Sequence, residues 1–97
     1  MSESLEKALG ALQEKVGGQT VDGSVKLDFE SEGALRLDES GARMDDGTEA
    51  DVTIAGSLET FRAMFDGDLS PTSAFMSGKI RIDGDMGLAM KVAGLLG

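Results

Sequence analysis

An α+β fold is predicted for this chain of 97 residues: a mostly antiparallel five-stranded sheet with about four helices over one of its faces. Three patterns predict it. Apolar and charged residues alternate at five places, stripes of helical period flank and interrupt that series, and the residues from 86 to about 96 are apolar almost all round.

Residues 4–16 set Leu5, Ala8, Leu9, Leu12 and Val16 on one stripe of a helix that ends at Gly17-Gly18, with Glu6, Lys7, Gln13 and Glu14 outward. From Ser24 the period becomes two. Val25, Leu27 and Phe29 alternate with Lys26, Asp28 and Glu30, and a turn follows at Ser31-Glu32-Gly33. The alternation returns at Leu35 and Leu37, at Ala42 and Met44 after the turn Glu39-Ser40-Gly41, at Val52 and Ile54 after the acidic loop 45–50, and at Ile80 and Ile82. These apolar positions share one face, which must be covered. The other face, with Lys26, Arg36, Arg43, Thr53, Arg81 and Asp83 among its residues, is expected to be wet.

The cover comes from helices. Ser57 can cap a helix carrying Leu58, Phe61, Met64 and Phe65, and Ser70 can cap a second with Pro71 at its first position and Gly78 beyond its end. A strand, two helices and a strand make a crossover that would be right-handed and would leave the fourth and fifth strands parallel if they are neighbours. The first three strands form an antiparallel meander. Asp85 can cap a last helix in which Lys91 is the only charge. A helix with no polar stripe must be contacted on more than one side, and Gly87 and Gly94 each weaken it by about 1 kcal/mol relative to alanine. Two readings follow: a helix closed into the core, or a mobile cover over an apolar ligand. The methionines 44, 64, 76, 86 and 90 fit either, as core filler or as side chains that repack around ligands of varied shape.

Composition excludes several classes. Nine Lys and Arg against eighteen Asp and Glu give a net charge of −9, which repels nucleic acid and anionic lipid surfaces at long range. Cysteine and histidine are absent, so disulfides, thiolate metal sites and the commonest general base are too. The carboxylates at Asp45-Asp46, Glu49 and Asp51, at Asp66 and Asp68, and at Asp83 and Asp85 do not fit a calcium-loop pattern, and read as turns and caps. No metal, cofactor or catalytic group is expected, and an enzyme using Lys79, Asp83 or Asp85 would lack a nucleophile paired with an orienting base. The start MSESLEKALG has no basic and apolar leader, and no stretch reaches the roughly 18 apolar residues of a membrane span. A cytoplasmic protein of one domain, residues 1–97, without stable membrane insertion, is the expectation.

The segment PTSAFMSGKIRIDGDMGLAMKV, residues 71–92, resembles the signature of the sterol carrier protein type 2 family, and the order of elements resembles that family over most of the chain. The resemblance implies the strand order 3-2-1-4-5 and a hydrophobic tunnel between sheet and helices for a fatty acid, fatty acyl-CoA, sterol or other lipid. It implies binding or transfer rather than catalysis; members of the family also occur as domains fused to enzymes, which would make this chain a carrier serving a separate lipid enzyme. Thr72 stands where many members have Gln, the chain stops at Gly97 without an extended tail, and no peroxisomal ending is present.

The expected lining is Leu27, Leu37, Ile54 and Ile80 from the strands, Phe61, Phe65, Phe75 and Met76 from the middle helices, and Met86 and Met90 from the last. A tunnel of about 300 Å³ left empty would cost about 7 kcal/mol at about 24 cal/mol per Å³, so it should hold lipid or collapse around its methionines. The alternative is an interaction module whose bare last helix docks on a partner or on a second copy as a homodimer.

Overall fold

Alternation at five places becomes five strands. In the computed structural model, which describes residues 3–19 and 21–96, β1 (Val25–Asp28), β2 (Ala34–Asp38), β3 (Gly41–Met44), β4 (Val52–Gly56) and β5 (Ile80–Gly84) form one sheet in the order β3-β2-β1-β4-β5. Neighbours run antiparallel except β1 and β4, which are parallel. The register puts Leu27 opposite Leu35 and Ile54, and Ile54 opposite Ile82, so the apolar positions do share a face.

The expected parallel pairing of the fourth and fifth strands is overturned. Gly56, the last residue of β4, lies opposite Ile80, the first of β5. The intervening helices therefore bring the chain back to the end of the sheet from which it left, as a hairpin loop does, and the two strands are antiparallel.

Four helices cover the apolar face: α1 (Glu3–Val16), α2 (Leu58–Phe65), α3 (Pro71–Met76) and α4 (Met86–Leu96). Their ends follow local chemistry. The Ser57 hydroxyl accepts from Thr60 N at 3.1 Å, the Ser70 hydroxyl accepts from Ser73 N at 3.1 Å, and the Asp85 carboxylate accepts from Leu88 N at 3.2 Å. Helix α1 touches β2 and β3 as well as α2 and α4, while α4 runs over β1, β4 and β5. Leu12, Phe29, Leu35, Phe61 and Val92 are fully buried among them, with the Phe29 and Phe61 rings edge to face at 4.7 Å.

The far face of the sheet is not uniformly wet, because Arg36 is only 5 % exposed. Register lines Arg36 up between Lys26 and Arg43, three like charges side by side, and acidic groups answer them. Arg36 Nε meets Asp38 at 3.3 Å, Nη1 meets Asp45 at 3.4 Å, and Nη1 and Nη2 donate to the carbonyls of Thr48 and Glu49 at 3.0 and 2.8 Å. The loop 45–50 is thereby drawn over the sheet. Desolvation pushes the Asp38 carboxyl up, but hydrogen bonds from Arg43 and from the Ser40 N–H outweigh it and hold it below its ordinary range. The Thr48 hydroxyl and N–H, with Arg43, hold Asp46 well below that range, and Asp38 and Asp46 together raise Arg43.

One glycine sets where α4 begins. Gly84 has φ +120°, and a Cβ there would overlap Asp51 O and come within 2.8 Å of Val52 Cα. This close approach lets Asp85 N donate to Asp51 O at 3.0 Å, tying the start of α4 to the start of β4.

Candidate functional site

Helix α4 resolves into two sides. Leu88, Ala89 and Val92 are buried toward the sheet, whereas Met86 and Met90 are 45 % and 59 % exposed. Across from them, the first turn of α3 and Phe75 stand beside β5, which α3 contacts directly. The space between is an apolar cleft of about 170 Å³. Ile54, Ile80 and Ile82 form its floor, Met64 its back, Pro71, Thr72 and Phe75 one wall, and Met86, Ala89, Met90 and Ala93 the other. It opens to water where Phe75, Met86 and Met90 are half exposed, so around the described residues it is a groove rather than an enclosed tunnel.

The Thr72 hydroxyl is the only side-chain polar group in that lining. Besides that hydroxyl the lining holds no carboxylate, amine or guanidinium that could orient or deprotonate it. Asp85 is used as a cap, Lys79 and Asp83 are exposed, and among the described residues no cluster of three or more acidic, His or Cys side chains could hold a metal ion. Larger depressions, about 220 Å³ between α1 and α2 and about 350 Å³ beside Glu30 and Glu59, are lined by charged side chains such as Lys7, Arg62 and Asp66. The smaller cleft is instead lined almost wholly by apolar side chains, and apolar surface removed from water is what drives the binding of an apolar molecule.

Five residues expected from the sequence come together here: Ile54, Phe75, Ile80, Met86 and Met90. Leu27, Leu37 and Phe61 are closed into the core at 0 % exposure and Phe65 at 7 %, outside the cleft. Met76 is 81 % exposed and does not line it. Met64, Pro71, Thr72, Ile82, Ala89 and Ala93 also line the cleft and were not among the lining residues expected from the sequence. The signal was there: Ala89 and Ala93 fall three and seven residues after Met86 on one helix side, where small residues leave room.

Residues 2–97 match the SCP-2 sterol transfer family. The chain belongs to that family. Its members are lipid-binding and transfer domains, and the fold agrees. A crystal structure of sterol carrier protein 2 like 2 from Aedes aegypti superposes with a TM-score of 0.79 at 25 % identity, covering 94 % of each chain. The solution structure of sterol carrier protein domain 2 of Helicoverpa armigera gives 0.76 at 29 % identity over 96 % of this chain and 85 % of that one. Hydroxysteroid dehydrogenase-like protein 2 of Xenopus laevis is 45 % identical over 64 residues, which are 65 % of this chain and 15 % of that protein. The SCP-2 chain thus matches only a small part of such relatives. Among the described residues, no helix is long and apolar enough to cross a membrane.

Proposed function

We propose that residues 1–97 act as one non-enzymatic lipid-binding domain, which takes the acyl chain or ring edge of a fatty acid, sterol or similar lipid into the α3–α4 cleft. The observation that carries this reading is the lining itself: eleven residues from sheet and helices, apolar but for Thr72, around a space with a half-open mouth. A dry apolar cavity of about 150 Å³ takes a benzene-sized molecule. At about 170 Å³ the cleft takes about as much, so a longer ligand extends along Phe75, Met86 and Met90 or parts α3 from α4. Methionine suits both, being unbranched and able to repack. The partial match to a larger dehydrogenase-like protein supports a role in presenting lipid to a separate enzyme.

Native mass spectrometry after gentle purification, with thermal melts against added fatty acid, tests the proposal. Occupancy stabilises by about 2.7 kcal/mol at a hundredfold excess over Kd, which raises Tm by about 10 °C or more in a domain of this size. Neither a co-purified lipid nor a shift in Tm with any fatty acid or sterol would defeat it.

A further inference from the structure

Six methionines hold all the sulfur of this chain, which has no cysteine and no histidine, tryptophan or tyrosine either. A mild two-electron oxidant therefore finds its ready side-chain targets in methionine alone. Burial divides those targets. Met64 is 1 % exposed and Met44 is half-buried on β3, whereas Met76, Met86 and Met90 are open to water. Of these three, Met86 and Met90 belong to the cleft wall and Met76 does not line the cleft. The accessible sulfurs that bear on binding thus lie four residues apart on α4, one turn from each other at the same mouth.

We propose that Met86 and Met90 are modification sites: hydrogen peroxide converts their thioethers to sulfoxides, and the cleft then loses affinity for an apolar ligand. The proposal rests on the lipid-binding reading of the cleft. In the step, a sulfur lone pair attacks one peroxide oxygen, the O–O bond breaks as the S–O bond forms, and the other oxygen leaves as water with the transferred proton. Each sulfur gives up two electrons and the peroxide takes them.

The loss of affinity follows from the lining. A sulfoxide oxygen accepts hydrogen bonds, and covering it with an acyl chain where no donor answers it opposes binding. The Thr72 hydroxyl supplies a single donor, for which two sulfoxides would compete. Either side chain can instead turn its oxygen to water, but that takes it off the wall. Both routes remove apolar surface from the ligand. Both are reversible, because sulfoxide reductases return the thioether. A seated ligand acts in the opposite sense: it covers Met86 and Met90 and leaves Met76 open, so the lipid-free chain is the form that peroxide reaches.

The test treats the full chain with graded hydrogen peroxide and maps each sulfoxide by peptide mass spectrometry. Binding of a fluorescent fatty acid and circular dichroism are followed on the same samples. Once Met86 and Met90 are both converted, affinity should fall about fivefold or more with the fold retained. The two methionine sulfoxide reductases, one for each sulfur epimer, supplied with a dithiol, should restore it. Met76→Leu should bind the fatty acid as the parent does and lose it on the same peroxide schedule. Saturating fatty acid should slow conversion of Met86 and Met90 but not of Met76. Met86 and Met90 left unconverted while Met76 reacts, affinity unchanged after both are converted, or a loss that Met76→Leu abolishes overturns the proposal. So does a loss that accompanies unfolding or that the reductases do not reverse. An untreated chain that binds no fatty acid defeats the lipid-binding reading and this proposal with it, whereas a chain that binds but is indifferent to oxidation defeats this proposal alone.

Discussion

Met90→Asp separates a cleft wall from a closed core. Met90 is 59 % exposed, so roughly two fifths of its side chain is out of water, and with full burial of Met worth about 1.5–3 kcal/mol the variant should lose only about 0.6–1.2 kcal/mol. At about 4–8 °C per kcal/mol, Tm should fall by about 2–10 °C and the domain should stay folded. Ligand binding should suffer more. The carboxylate would have to be desolvated against an acyl chain, at a cost of at least about 1–3 kcal/mol, so affinity should drop about fivefold or more. Displacement of a fluorescent fatty acid gives the affinity, and differential scanning fluorimetry gives Tm. Phe61→Ala is the control for core: Phe61 is fully buried, and the substitution should cost about 3–5 kcal/mol. Fatty-acid affinity of Met90→Asp within threefold of the parent chain, or its unfolding at room temperature, would refute the reasoning.

Gly84→Ala should destabilise the domain strongly, because the new methyl overlaps Asp51 O at a φ that L residues rarely adopt; urea unfolding should show a lower midpoint and weakened protection at the start of α4. The outer-face network predicts a pH dependence. Asp38 and Asp46 have folded values below their unfolded ones, so their stabilisation is fully present above about pH 4, the unfolded carboxylate value, and is lost as pH falls through the lower folded values. Arg43→Gln should therefore flatten the acid limb of Tm against pH below about 4 while leaving the shape of the curve between pH 5 and 7 unchanged.

Much of the fold was legible because local chemistry and burial agreed. Ser57, Ser70 and Asp85 cap the helices that their side chains and the following apolar periods announce. The alternation at Val25–Leu27 and at Val52–Ile54 could only face the core one way. The direction of β5 was not legible, because two short helices can carry a chain across a sheet or back to the same end, and only the Gly56–Ile80 pairing decides. Arg36 misled for a related reason. Alternation assigns it to the solvent face, and its burial comes from the Thr48 and Glu49 carbonyls of a loop that folds over it from ten or more residues away. At the site, sequence pattern named apolar residues well but could not separate wall from core. Phe61 and Phe75 look alike in sequence, yet one is sealed against Phe29 and the other stands half exposed at the mouth.

The methionine methyl groups offer the most direct test of the cleft. Met64, Met86 and Met90 line it, whereas Met44 sits on β3 and Met76 points into solvent. In methyl NMR spectra of the full chain titrated with a fatty acid below its micelle concentration, the resonances of Met64, Met86 and Met90 should move together and saturate, with Met44 and Met76 nearly still. Saturable movement of Met44 without the other three, or no movement of any methionine, would contradict the assignment of lipid to this cleft.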